Sequence, residues 1–301
     1  MADRHPVICE VAPRDGFQSI AAPLPTQDKI AIIRDLAAAG CQRIEIGSFV
    51  SPKAIPQMAD MRDITAAVRD LPARLSALVP NPRGAEDALA AGITELVYVF
   101  SASEAHNQNN VRQSVAQSIE GLARIVEVMP GGTDLRVDLA TAFDCPFDGT
   151  VALEAVTDAV RAICAIAPRA GIALCDTTGR ANPFTVAERF GTVMALPESR
   201  ENSWAFHGHD TFGQGVANAL AAWRAGVSVF DTAAAGLGGC PFAPGATGNT
   251  ATEDVVFAFN EGGLDTGIDL ATLLTVADRI AALPGAATGS HLRQVPRHRA
   301  A

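Results

Sequence analysis

Eight short runs of β-branched and apolar residues, each followed by a stretch of helical character, constrain the fold of this 301-residue chain more than any other feature. They begin with VICEVAP at 7, RIEIGSF at 43, RLSALVP at 74, ELVYVF at 95, LRVDLATAF at 135, GIALCDTT at 171, SWAFHGHD at 203 and VSVFDTAAAG at 227. Between them lie Ala-rich amphipathic segments such as TQDKIAIIRDLAAAG, long enough to return the chain to a parallel neighbour. Eight such units predict an α/β fold of the (β/α)8 TIM-barrel type. A doubly wound sheet usually has fewer strands and a Gly-rich first turn, and no G-x-G-x-x-G follows the first run. Past residue 251, ATEDVVFAFNEG and DLATLLTVADRIAAL read as extra C-terminal helices. The expected organisation is one barrel domain over residues 1–285 and an irregular or disordered tail over 286–301. No linker, repeat or second domain is seen.

Composition narrows the partners. At 48% hydrophobic but 5% aromatic, the chain can build one large core from small aliphatic side chains. A net charge of -10 with no basic stripe argues against nucleic acid and leaves a small molecule as the expected partner. The six cysteines form no C-x-x-C pair, which suits a reducing compartment. There is no apolar leader and no apolar run of the roughly 18 residues a membrane span needs, so the expected location is cytoplasmic.

In a barrel of this kind the active site lies at the C-terminal ends of the strands. His207 and His209, in AFHGHD, fall two apart near the end of the seventh run, and the period-two geometry of a strand sends both to one face. That is a metal-ligand arrangement, although single histidines are also common as hydrogen-bonded core residues. At the end of the first run, PRDGFQ places Arg14 and Asp15 at the same mouth, with Asp15 an anionic ligand. After the eighth run, AGLGGCPFAPGATGNTATED carries Cys240 and ends at Asn249, either an amide-oxygen ligand or the N-cap of a helix starting near residues 250–251. Asp15, His207, His209 and Asn249 together would make a mixed oxygen and nitrogen site with open positions, suited to Mg²⁺ or Mn²⁺ rather than to structural zinc. Two histidines and a carboxylate also describe a non-haem iron triad, which the barrel pattern disfavours. Glu45 and Asp176 are further carboxylates near the mouth, equally suited to catalysis or to pairing with arginines. Cys240, in its glycine loop, is either a mobile proton donor or an incidental small residue.

RDGFQ, IEIGSFVSPKAIPQMAD, HGHDTFGQGVAN and the Cys240 loop together closely resemble the 3-hydroxy-3-methylglutaryl-CoA lyases, over residues 7 to 275. R-D-G-x-Q and H-x-H-D are similar to those of a wider group that includes isopropylmalate and homocitrate synthases and carboxyltransferase barrels. SFVSPKAIPQMAD and GLGGCP look like the lyase branch.

The resemblance implies a divalent metal, Mg²⁺ or Mn²⁺, an acyl-CoA substrate, a homodimer, and retro-Claisen cleavage to acetyl-CoA and a keto acid. It implies Asp15, His207, His209 and Asn249 as metal ligands and Arg14 as the catalytic arginine. His207 and Asp15 would also serve in proton transfer, Glu45 and Cys240 would be further active-site residues, and Glu253 would stand near the reaction centre. Gln18 and Ser48, inside two of the motifs, with Arg136 and Asp176, are the candidates for binding substrate.

Three departures from that pattern bear on the substrate, the first being SIAAPLP after Gln18, where an acidic residue is expected. Asp138 stands on the fifth run where relatives carry a tyrosine, offset by Arg136 two residues earlier. The segment SEAHNQNNVRQS is poor in lysine, so basic residues of the tail are candidates for holding the CoA phosphates. A lyase for another 3-hydroxyacyl-CoA, such as citramalyl-CoA, is the nearest alternative, followed by a condensing transferase and then a non-catalytic barrel.

Overall fold

The structure, a computed structural model, describes residues 5–239 and 248–299. Eight parallel strands close into a barrel: β1 (Val7–Glu10), β2 (Arg43–Ser48), β3 (Arg74–Leu78), β4 (Glu95–Ser101), β5 (Asp134–Ala140), β6 (Gly171–Asp176), β7 (Ser203–Gly208) and β8 (Val229–Thr232). Each pairs with the next and β8 pairs with β1, which is the TIM barrel expected from the eight runs. A small antiparallel ribbon, Asp144–Cys145 against Gly149–Thr150, follows β5.

The crossovers are helical for local reasons. In α1 (Thr26–Ala38) the buried positions Ile32, Ile33 and Leu36 follow helical spacing. In α2 (Met61–Val68) Met61, Ile64, Thr65 and Val68 do the same. Asn81 caps α3 (Pro82–Ala91) through Gly84 N–H at 3.0 Å, with proline at the first position. After α4 (Glu104–Val111), Ser114 and Gln117 form a capping box that starts α5 (Val115–Val128). Helices α6 (Leu153–Ile166), α7 (Pro183–Met194) and α8 (Gly215–Ala225) complete the ring. The two extra helices stand as α9 (Thr252–Glu261) and α10 (Leu270–Ala281). Among the described residues no helix is long and apolar enough to cross a membrane, and Cys9, Cys41, Cys145, Cys164 and Cys175 are free.

Alternation along the strands sorts side chains into two environments. Ile44, Ile46, Leu96, Phe100, Val137, Leu139, Ile172, Leu174, Phe206 and Phe230 are buried in the main hydrophobic core, where the strands pack against the helix ring. The opposite set is largely polar. Val97 pairs in register with Arg136, Val99 with Asp138, Cys175 with His207, and Asp231 with both His207 and Cys9. Small neighbours make room for the charged ones: Gly171 and Ala173 lie opposite Arg136 and Asp138 on the adjacent strand.

The tail is better held than its composition suggests. Gly289 N–H donates to Ala235 O at 3.0 Å and Gly238 N–H to Ala287 O at 3.2 Å, so the tail braces the segment that follows β8. Asp254 on α9 accepts from the backbone N–H groups of His291 and Leu292, each at 2.8 Å. Arg293 and Arg297 both pair with Asp278 on α10, which ties these two basic side chains to the protein itself.

Candidate active site

At the C-terminal mouth of the barrel a cavity of about 830 Å³ reaches from Arg14, Asp15, Asp138, His207 and His209 outward to the β3 and β4 loops and α4. The chain leaves β1 through a tight π-type turn, Ala12–Gly16, in which the N–H groups of Arg14, Asp15 and Gly16 all point at Val11 O. That turn sets Arg14 and Asp15 side by side at the rim. The Arg14 guanidinium contacts Asp15 through Nη1, and its Nε lies 3.0 Å from Glu45 Oε1 without the alignment of a hydrogen bond. Glu45 thus orients the arginine from below as a charge partner.

His207 is the penultimate residue of β7 and His209 follows the strand, with Nε2 atoms 3.3 Å apart. Ligand atoms of Asp15, His207 and His209 all lie within 4.8 Å of one another. Asn249 reaches the cluster because His209 and Asn249 form a β-bridge, which excludes the helix-cap role: α9 is capped by Ala251, and the Asn249 amide donates to Asp15 Oδ2 at 2.8 Å and Leu237 O at 3.1 Å. The approach is close. Gly238 has φ +146°, and a Cβ there would come within 2.7 Å of Asn249 Nδ2. Gly238→Ala should therefore displace the Asn249 amide and cost about 1–3 kcal/mol of backbone strain. Calorimetric Mn²⁺ titration checks it: unchanged affinity in the folded variant would show that Asn249 tolerates displacement.

Electrostatics fit a cation. Asp15, Glu45, Asp138 and Asp231 are gathered around two guanidinium groups, Arg14 and Arg136, in a region largely shielded from water. Burial opposes the ionisation of Asp15, but Arg14 and the two histidines override it and lower its pKa to about 2. Burial and the neighbouring His207 lower His209 to about 4, leaving it neutral and able to offer a lone pair. Burial pushes Glu45 up to about 7 and raises Asp138 as well. Among the described residues, Asn249 Oδ1 and His209 Nδ1 are buried without a hydrogen-bond partner. Orphaned electron-pair donors beside an ionised carboxylate are what a hard divalent ion would satisfy.

A match to the HMGL-like family model covers residues 5–280. The chain belongs to the HMGL-like family. This HMGL-like chain is 41% identical over 294 residues to an (R)-citramalyl-CoA lyase of Chloroflexus aurantiacus, spanning 92% of this chain and 90% of that one. It is 39% identical to a 3-hydroxy-3-isohexenylglutaryl-CoA/hydroxymethylglutaryl-CoA lyase of Pseudomonas aeruginosa, with 94% of each covered. The solved structure of an HMG-CoA lyase from Acinetobacter baumannii, in complex with coenzyme A and 3-methylmalate, matches with a TM-score of 0.90 and 41% identity over 97% of this chain and 95% of that one.

Not every sequence candidate of this HMGL-like chain reaches the cavity. Gln18 lines it, with Arg14, Asp15, His207 and His209. Arg136 does not. It lies deeper in the barrel, 3% exposed, with Nε on Asp138 Oδ1 at 2.6 Å and both Nη atoms on Asp231, so its guanidinium is fully engaged by protein carboxylates. Glu253 is buried on α9, where its carboxylate accepts Ala235 N–H and steadies a residue with φ 64° at the start of the segment leading to Gly238. Asp176 accepts Ala181 N–H at 3.1 Å and shapes the turn after β6. Ser48 is buried at the end of β2. Cys240 lies outside the described residues.

Sequence reasoning missed Asp231, which accepts the Arg136 fork and lies 3.2 Å from His207 Nδ1. Its signal was available, a carboxylate two residues after Val229 on the inward face near the end of a barrel strand. Glu10 was missed too. Fully buried, it accepts Ala12 N–H, Ala234 N–H and the Thr252 hydroxyl, and so pins the corner where β8 meets α9.

Proposed function

We propose that this chain is a divalent-metal-dependent carbon-carbon lyase that cleaves 3-hydroxy-3-methylglutaryl-CoA to acetyl-CoA and acetoacetate. The observation that carries the reading is the guanidinium of Arg14 fixed beside the Asp15, His207 and His209 donors on the floor of a cavity large enough for an acyl thioester. Asp15, His207, His209 and Asn249 would hold Mg²⁺ or Mn²⁺. Such a cation supplies positive charge that makes a tertiary alcohol acidic enough to ionise near neutral pH.

The chain's own residues do the rest. Asp15, held ionised by Arg14, suits a permanent ligand. Burial disfavours a charged His207, but Asp231 overrides it and raises its pKa, and with Nδ1 turned to Asp231 the ring keeps Nε2 for the ion. As the C2–C3 bond breaks, charge collects on the thioester oxygen, and a fixed guanidinium at Arg14 stabilises that enolate more than the ground state. Returning a proton to the enolate is assigned to Cys240 by likeness to the family. The outer part of the cavity is neutral, with Val50, Ile55, Leu78, Asn81, Asn110 and Gln113 on its walls, which suits the uncharged arm of CoA and leaves its phosphates outside. A homodimer and a cytoplasmic location belong to the same reading.

One observation favours a second substrate. Asp138, already paired with Arg136, puts a carboxyl group on the cavity wall that offers no cationic partner to a substrate carboxylate extended toward β5. Citramalyl-CoA, one methylene shorter, keeps its carboxylate on the hydroxyl-bearing carbon and away from that wall. A panel of 3-hydroxyacyl-CoA thioesters separates the two. Acetyl-CoA release should require Mg²⁺ or Mn²⁺, stop with chelator and return on metal addition. No release from any thioester, with condensation of acetyl-CoA and a 2-keto acid instead, would move the chain to the transferases.

A further inference from the structure

We propose that Asp231 is a positioning residue that fixes the tautomer of His207, with Arg136 clamping the carboxylate in place. The inference rests on reading Asp15, His207, His209 and Asn249 as a cation site. Asp231 on β8 and His207 on β7 are register partners, and Asp231 Oδ2 lies 3.2 Å from His207 Nδ1. An ionised carboxylate only accepts hydrogen bonds, so Nδ1 must carry the proton and the lone pair of a neutral ring falls on Nε2.

His207 Nε2, where that lone pair falls, lies 3.3 Å from His209 Nε2 in the cluster with Asp15. One carboxylate thereby decides which nitrogen of His207 offers an electron pair to the site.

Asp231 is itself prevented from turning. Arg136 Nη1 donates to Oδ1 at 2.8 Å while Nη2 donates to Oδ2, a two-pronged contact that fixes the carboxylate plane. Arg136 is held in turn by Asp138 at 2.6 Å. Ala173 and Ala205, adjacent in register across β6 and β7, leave space on the barrel axis for this crossing.

The test has two arms. In metal-free wild type with ¹⁵N-labelled histidine, long-range ¹H–¹⁵N spectra, assigned with His207→Gln, should show His207 protonated at Nδ1; a lone pair at Nδ1 overturns the inference, and this arm needs no Asp231 variant to fold. In the second arm free Mn²⁺ is followed by EPR against metal-free protein, and Asp231→Asn should bind about 10- to 100-fold more weakly than wild type at the same stoichiometry. A purely structural role would lower the unfolding midpoint and leave Mn²⁺ affinity of the folded variant at the wild-type value, which also overturns it. Failure of wild type to bind Mn²⁺ sinks the cation site on which the proposal rests and leaves the tautomer result to stand by itself.

Discussion

Arg14→Ala should lower turnover by about a hundredfold to a thousandfold, a loss of roughly 3 kcal/mol or more, without displacing Asp15, His207, His209 or Asn249. The direction follows from where charge appears. Ground-state thioester oxygen is nearly neutral and the enolate oxygen is not, so kcat should fall with little change in KM. Mn²⁺ affinity should survive, because Asp15, His207, His209 and Asn249 are untouched and Asp15 loses a competing cation at its Oδ1. Arg14→Lys should recover part of the rate, since an ammonium keeps the charge but cannot face both Asp15 and Glu45 in one plane. Steady-state assays with saturating Mg²⁺ check this, and near-normal kcat in Arg14→Ala would remove the guanidinium from the mechanism.

Arg136→Met is expected to destabilise the protein by about 3–5 kcal/mol, because it leaves two carboxylates buried without a counter-charge. The pH dependence identifies the cause. In the wild type, burial opposes the ionisation of Asp231 but Arg136 overrides it and holds the pKa below the ordinary carboxylate value. A lowered folded-state pKa contributes stability above the unfolded value and loses it as pH falls through the folded one. Without Arg136, desolvation dominates: the folded pKa of Asp231 rises above its unfolded value, and that of Asp138, already raised by burial, rises further. Stability so affected is fully present only below the unfolded pKa, near ~4, and is lost as pH rises. The deficit of the variant should therefore shrink between pH 8 and pH 5, as read from urea unfolding at each pH. An equal deficit at both would point to lost packing and not to unpaired charge.

The eight strands were legible because each carries its own signal, a short β-rich run bounded by turn residues, and the start of most lies within one residue of where the run begins. The His207 and His209 pair was legible for the same reason, since strand geometry alone puts residues two apart on one face. Asn249 was half legible. Its position before a helix fits a cap as well as a ligand, and only the bridge to His209 separates the two roles. Arg136 and Glu253 show where local logic runs out. Both sit in segments that resemble the active-site region of relatives, yet depth within the barrel and burial behind the β8 loop take them away from the cavity.

By itself the sequence determined the barrel and the mouth at which Arg14, Asp15 and the two histidines gather, because periodicity and residue chemistry are local properties. Only the tertiary structure decided which charges pair across the barrel axis, that Asp231 meets both Arg136 and His207, and that the tail braces the segment after β8. Those contacts join residues far apart in the chain, Arg136 and Asp231 by 95 positions. Closing the barrel brings them within bonding distance, and no local pattern records that distance.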